Sequence, residues 1–427
     1  MCGALTGYLL QAENRVDILE GIQLREAEMP ANQYDAIVVG ARCAGSPTAM
    51  LLAKKGYKVL LVDRATFPSD TISTHLIHPP GMSALRRWGL EAPVTAASPP
   101  IDTYAFDFGP IKLAGWPGTD EQPASYSPRR TVLDKLLIDA ASQAGADVRE
   151  AFTVEHLVFE DEKVAGIRGH SRGGDSVTER ARIVIGADGR HSLVAREVNA
   201  ERYNEKPEIE VSYYSYWSGV PMNGRCEFYD CGGRGFGAWP TGDDLTLIVG
   251  GWPYAQFEEN KADIEGNMMR SIEMAPEFAA RLRAGKRESR WIGAAVPNFF
   301  CKPYGPGWAL VGDAGYIKDF ITAQGISDAF RDAELCANAV DEWLSGSREL
   351  DDAVAEYQSK RDDYAMPRFE HACSVASFAP PPPEQVQVLM AMVGNQEAMD
   401  GFAKVFSGVT TAPEFFSEEN IGRILSG

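Results

Sequence analysis

One short stretch constrains this chain more than any other: the apolar run Asp35-Ala36-Ile37-Val38-Val39 stops at Gly40, and a second apolar segment begins at Pro47. A continuous apolar run ending in Gly reads as a strand buried on both faces. Pro47 to Lys55 (PTAMLLAKK) has Pro near its first turn and Gly56 as its stop, the marks of a helix. Tyr57 to Asp63 (YKVLLVD) is a second strand, so the fold opens with a strand–helix–strand unit. Between strand and helix lies Gly40-Ala41-Arg42-Cys43-Ala44-Gly45. The first Gly permits a tight turn and the last lets helix and strand approach closely. The free N–H groups at the helix start suit a pyrophosphate. Asp63 ends the second strand, where an acid accepts from ribose hydroxyls. Arg42 stands where such turns have their middle Gly. Its side chain must swing away from the phosphates or lend them its charge.

Two later segments repeat the pattern of an apolar strand ending in a Gly/Asp turn. One is Ile185-Gly186-Ala187-Asp188-Gly189, followed by Ser192 and Arg196. The other is Ala309-Leu310-Val311-Gly312-Asp313-Ala314-Gly315, with Gln324-Gly325-Ile326 behind it. A carboxylate in such a turn can accept from a chain of hydroxyls, and a helix opening at Gly325 turns its positive end toward developing negative charge. Singly, each is more often an ordinary turn.

Together, in this order, the three motifs resemble the FAD-binding signatures of the p-hydroxybenzoate hydroxylase-like superfamily. That group also takes in geranylgeranyl reductases and flavin halogenases. The resemblance runs from about Tyr34 to Leu344. It implies an α/β chain (α+β overall), with a Rossmann-type, glutathione reductase-like FAD-binding domain interleaved with an antiparallel-sheet substrate domain, plus a C-terminal helical region. It implies FAD contacts at Gly40, Ala41, Arg42, Gly45, Asp63, Arg64, Thr74, Arg130, Val154, Asp188, Gly312, Asp313, Gln324, Gly325 and Ile326. NAD(P)H is implied as a transient reductant, since no second dinucleotide fingerprint is present. One departure stands out. The family pattern has Pro beside the flavin several residues after the Gly-Asp turn, and here that stretch, Lys318 to Thr322, carries Phe320.

Two histidines, His75 and His78, fall in the loop after the second strand, which the resemblance lays along the flavin. Either is a candidate proton donor, and either can equally cap backbone groups. From about residue 207 to 248 aromatics alternate in short runs, the texture of an antiparallel sheet. In a regular strand Tyr214 and Tyr216 share one face, while Tyr213 and Trp217 share the other. Tyr214, Tyr216, Phe228, Trp239 and Phe320 are the candidate substrate pocket.

The expected divisions are an N-terminal extension (1–33), a discontinuous FAD domain (34–105, 125–200, 300–350), a substrate sheet (106–124, 201–299) and a helical region (351–427). The last either caps the pocket or forms a homodimer contact. The net charge of −19 disfavours nucleic acid and anionic membrane as partners. No apolar run is long enough to span a membrane, and the N-terminus lacks a secretory pattern. Seven cysteines at irregular spacing, with no CxxC, point away from zinc and disulfides and toward a cytoplasmic setting. The leading expectation is an NAD(P)H-driven monooxygenase that hydroxylates or epoxidises a small aromatic or apolar substrate with molecular oxygen, through a flavin hydroperoxide. The alternatives are a geranylgeranyl reductase-like flavin reductase or dehydrogenase, a flavin halogenase, and a flavoprotein without turnover. The halogenase reading lacks a WxWxIP motif, since Trp291 to Pro297 (WIGAAVP) only echoes it.

Overall fold

The computed structural model describes residues 33–426. Of the expected N-terminal extension, Gln33 opens the first strand and the remainder lies outside the described residues.

The opening apolar runs do form the centre of a sheet. Gln33–Val39 pairs in parallel with Val59–Val62 on one side and with Ser176–Gly186 on the other. Asp147–Arg149 and Trp308–Leu310 extend this parallel core outward. All four residues of Val59–Val62 are buried, as expected for a sheet covered on both faces. The helices Gly45–Lys54, Arg130–Gln143 and Gly325–Leu344 pack against one face. An antiparallel flap, Phe152–Glu160 with Lys163–Ser171, joins through Ser176–Gly186.

The aromatic runs build a second, eight-stranded sheet around Glu210–Ser218 and Leu245–Pro253. Its pairings are antiparallel except one: Arg225–Asp230 runs parallel to Thr103–Asp107. That latter strand straddles the boundary expected at residue 106. Arg202–Lys206, expected in the substrate sheet, instead pairs with Asn298–Cys301 in a separate three-stranded sheet completed by Tyr316–Ile317. The chain thus folds as a mixed α/β structure.

Strand alternation decides what covers each face of the aromatic sheet. Tyr213 and Trp217 point toward the helices Ile264–Glu273 and Pro276–Ala284. Tyr214 and Tyr216 share a cluster with Phe106, Phe402, Phe406 and Phe415, so the C-terminal helices close that face. Phe106 meets the Phe402 ring edge-on at 4.9 Å between centroids. The long helix Leu350–Ala376 ties the sheets together. Its Tyr357 hydroxyl donates to the Leu310 carbonyl at 2.8 Å, and its fully buried Arg361 donates to the carbonyls of Cys301 and Gly315.

Truncating a buried ring in a rigid core loses its transfer energy and leaves a cavity. Phe402→Ala is therefore expected to destabilise the protein by about 3–5 kcal/mol, measured by chemical denaturation. A loss below about 1 kcal/mol would show that the C-terminal helices are not integral to the sheet's core.

Candidate FAD and active site

Backbone geometry explains the first motif. Gly40 adopts φ +103°, and a Cβ there would stand 2.4 Å from the Ala187 carbonyl oxygen. A Cβ on Gly45 would stand 1.7 Å from the Gly40 carbonyl oxygen. Only glycine fits at either position. Ala187 belongs to the second motif, so the two motifs touch through this contact. The helix Gly45–Lys54 begins with no side-chain cap; the Ser46 N–H donates to the Arg42 carbonyl at 3.0 Å and Pro47 has no N–H, so what the helix start offers a ligand is the Gly45 N–H and the positive end of its dipole. Asp63 closes the turn by accepting the Ala41 N–H at 2.7 Å and the Ala65 N–H at 2.8 Å.

The Arg42 side chain swings away from this turn. It forms an ion pair with Asp134, donates to Ser69 Oγ at 3.0 Å and lies over the Phe67 ring. Asp134, with no exposed surface, also receives Arg130 Nε at 2.9 Å. Asp134 was not among the sequence candidates. The signal was its place four residues after Arg130 on one helix.

The other two motifs face each other across a cleft of about 330 Å³. Its lining includes Gly189, Arg190, His191, Arg196 and Arg202 beside Asp313 and Ala314. The Asp313 side chain is open to this space while protein crowds its other sides. Desolvation by those walls raises its carboxyl to about 6, against the opposing pull of Arg130 and Arg190. Asp188 caps the helix Leu193–Glu197 by accepting the Leu193 N–H at 2.6 Å, and its Oδ1 is buried without a partner. A Cβ built on Gly325 meets nothing within 4 Å, so the start of the 20-residue helix Gly325–Leu344 opens onto free space. Gln324 is fastened on both sides: its Oε1 accepts from Lys318 Nζ at 2.8 Å and its Nε2 donates to the Phe406 carbonyl. Lys318 is itself buried against Asp328 at 2.7 Å. Burial opposes the Asp328 charge, but Lys318 and Arg331 outweigh it and hold that carboxyl at about 2. Ile326 is in the core, Val154 pairs with Gly169 in the flap, and Arg64 is exposed.

The histidines divide. His78 Nε2 faces the Thr322 carbonyl at 2.9 Å and must donate to it. Its Nδ1 therefore accepts from the Tyr104 hydroxyl at 2.7 Å, and that hydroxyl in turn accepts from Ser125. Both ring nitrogens are consumed, and burial pushes the pKa down to about 4. His78 is thus a pin between loops, and the catalytic role considered for it has no free nitrogen to act through. His75 is different. Its Nε2 meets the Tyr216 hydroxyl in a short contact, while its Nδ1 is buried without a partner. It sits at φ +63°, a costly conformation for a non-glycine residue. Burial, then the charges of Arg130 and Arg129, push its pKa well below the usual value. The Tyr214 ring meets the Tyr216 ring edge-on at 5.7 Å between centroids. Arg129, also absent from the sequence candidates, lies 4.2 Å above the Tyr216 ring. Trp239 Nε1 donates to the Thr74 carbonyl at 3.1 Å, which fixes that loop against the sheet.

The five-residue pocket drawn from the sequence therefore separates. Tyr214, Tyr216 and Trp239 surround the His75 loop. Phe228 is packed against Phe406 at 4.8 Å and, half-buried, stays in one cluster with Tyr214, Tyr216 and Trp239. Phe320 packs with the cluster under the first sheet, away from the aromatic face.

A family model described as "FAD binding domain" matches residues 33–371. A digeranylgeranylglycerophospholipid reductase of Methanocella arvoryzae is 26% identical over 339 residues, covering 77% of this chain and 83% of its own. The solved structure of a myxobacterial chondrochloren halogenase superposes with a TM-score of 0.74 at 21% identity, over 92% of this chain and 96% of its own. A probable FAD-dependent monooxygenase of Pseudomonas aeruginosa superposes at 0.69 with 21% identity, over 89% and 100%. At these identities the two structures speak for the fold. The uncapped helix start, the cleft-facing Asp313 and the open space above Gly325 all fit FAD. Gly40 to Gly45 would take its pyrophosphate, Asp63 its ribose, Asp313 its ribityl chain and Gln324 to Ile326 the ring edge.

Removing Asp134 leaves Arg130 buried without its carboxylate. Breaking a buried ion pair from one side costs about 3–5 kcal/mol, and Asp134→Ala is expected to lower the denaturation free energy of the FAD-free protein by that amount. A change under about 1 kcal/mol would mean that Arg42 and Arg130 find other partners.

Proposed function

The chain belongs to the FAD-binding domain family, and on that premise we propose that this flavin-dependent oxidoreductase is an NAD(P)H-driven monooxygenase of small aromatic or apolar molecules. The observation that carries the proposal is the buried cluster of proton-bearing groups in which Tyr214 packs on Tyr216 and the Tyr216 hydroxyl meets His75 Nε2. It lies under a fixed cation, Arg129. Bound flavin would supply the redox chemistry, taking two electrons from NAD(P)H and passing them to oxygen. In the balanced reaction, NAD(P)H, a proton, oxygen and substrate give NAD(P)⁺, oxygenated substrate and water.

The chain's own residues have distinct parts in this scheme. Burial and the charges of Arg130 and Arg129 keep His75 neutral, so it orients the Tyr216 hydroxyl by hydrogen bonding, while burial raises Tyr216 and Tyr214 and keeps their protons available for donation. Arg129 stabilises the negative charge left on Tyr216 or on an acidic substrate. The C-terminal helices exclude water from this face. The basic lining of the cleft, Arg190, His191, Arg196 and Arg202, favours an anionic ligand beside Asp313. A second reading, reduction of an apolar alkene, draws on the apolar groove of about 750 Å³ between the long helix and Ala412–Phe415, lined in part by Met366, Pro367, Pro413 and Phe416.

Anaerobic addition of NADH or NADPH to the flavin-loaded protein is expected to bleach the flavin absorbance, and air to restore it with oxygen uptake. Persistent colour with both donors would overturn the reading, and bleaching followed by stoichiometric alkene reduction without oxygen would favour the second. Removing a positioned proton carrier typically costs about 10²-fold or more in rate. Tyr216→Phe is therefore expected to lower kcat by about that factor and to change its pH profile while FAD binding stays the same. A variant with unaltered kcat would take the relay out of the mechanism.

A further inference from the structure

Outside the proposed relay, two acidic side chains lie buried against each other. Glu210, the first residue of the strand Glu210–Ser218, is 1% exposed, and Asp319 is fully buried. Their carboxyl groups are in hydrogen-bonding contact. Among the described residues neither carboxyl forms a salt bridge, and Lys318, next to Asp319 in the chain, pairs with Asp328. Two ionised carboxylates at hydrogen-bond distance, both desolvated and without a cation, are not tolerated; such a pair keeps a proton. The remaining contacts assign it. Asp319 Oδ1 accepts the Ile321 N–H at 3.0 Å and the carboxyl also faces the Glu210 N–H, as suits a carboxylate, while Asp319 Oδ2 has no partner of ordinary hydrogen-bond geometry. Glu210 Oε1 accepts from the Ser212 hydroxyl at 2.9 Å. A protonated Glu210 supplies the donor that Asp319 Oδ2 lacks.

The pair sits at a loop with a function. Asp319 opens the turn Phe320–Thr322, which ends at Ala323 in a left-handed conformation (φ +52°) and runs directly into Gln324, Gly325 and Ile326. His78 holds the same turn from the far side, through the Thr322 carbonyl. Asn298 adds a stitch on the near side: its Oδ1 accepts the Asp319 N–H at 2.6 Å, and its Nδ2 donates to Pro207 just ahead of Glu210. The other titratable group facing the pair is Cys373 of the long helix, whose thiol is raised by burial to about 11 and which contacts Asn298. Lys318, the neighbour of Asp319, is engaged with Asp328 and Gln324.

We propose that Glu210 is a protonated positioning residue whose carboxyl proton latches the Asp319–Ala323 loop to the second sheet, and that its ionisation releases this loop and weakens FAD binding. The inference rests on the family's cofactor and not on the oxygenase reading. Burial, then the charge of Asp319, keeps the Glu210 carboxyl well above its ordinary range. The folded chain therefore holds this proton more tightly than the unfolded chain. The associated stability is present at low pH and is lost as pH rises through the folded-state value.

The test compares the wild-type protein with Glu210→Gln and Glu210→Ala. The first substitution keeps the size and the donor to Asp319, and the second removes both. In the wild type, the FAD dissociation constant is expected to rise about tenfold between about pH 7 and about pH 9.5. In Glu210→Gln it should change by less than about twofold, and the thermal midpoint of the FAD-free protein should fall less steeply with pH. An infrared band of a protonated carboxyl, present in the wild type near pH 7, should be missing from Glu210→Gln. Glu210→Ala should bind FAD about tenfold more weakly near pH 7. The proposal is overturned if wild-type binding is flat across this range, if the infrared band survives in Glu210→Gln, or if Glu210→Gln binds FAD as poorly as Glu210→Ala while keeping its native circular dichroism. Should Glu210→Ala not fold, Glu210→Gln decides alone. None of these readings requires turnover, so a failed oxygenase assay leaves the test intact.

Discussion

Asp134 makes the dinucleotide turn usable. The turn has an arginine where a glycine is expected, and a guanidinium over the helix start would fill the space a pyrophosphate needs. The buried Asp134 carboxylate draws Arg42 sideways and holds Arg130 with its other oxygen. A lone buried carboxylate would be costly, but two cations offset its desolvation. With Arg42 anchored, the Gly40–Gly45 turn closes onto Ala187 and no side chain caps the helix start. The first motif thus touches the second, and the cleft between the second and third holds Asp313.

The same economy governs the far end of the cofactor cleft. Lys318, Asp328, Arg331 and Asp332 form a compact charged cluster under the start of the helix Gly325–Leu344. Each charge is buried, and each has an opposite charge in contact. The cluster fixes Gln324 through Lys318, and Gln324 in turn reaches the Phe406 carbonyl in the C-terminal region. Opposite charges in contact hold this geometry, while Asp332 Oδ2 is buried without a hydrogen-bond partner. They also link the cofactor side to the helices that cover the aromatic sheet.

Those helices set the character of the proposed active site. They place Phe402, Phe406 and Phe415 against the sheet face that carries Tyr214 and Tyr216. Apolar rings on that scale keep water away and raise the cost of any unpaired charge. Under such a cover, a short line of hydroxyls ending at an unpartnered imidazole nitrogen is a conspicuous arrangement. Buried polar atoms are nearly always satisfied, so one that is not invites a ligand or a proton.

Much of this was legible in the residues alone. The parallel strands, the glycines of the turn, Asp63 at its strand end and the opposed faces of Tyr213 and Tyr214 all follow from local rules: a period of two, a period of 3.6, and the few residues that turns accept. Direction and partnership were not legible. Whether Arg42 points at the phosphates depends on Asp134, far away in sequence. His75 and His78 look alike in the chain, yet one is spent on Tyr104 and Thr322 while the other keeps a free nitrogen. Phe228 and Phe320 had the composition of a pocket and ended half-buried in different places, Phe228 against the Phe406 ring and Phe320 against the cluster under the first sheet. The elements and the cofactor turns are local properties, set by neighbours along the chain. The tertiary structure alone decided which side chains are satisfied and which are left poised, since burial and hydrogen-bond partners come from segments that meet only on folding.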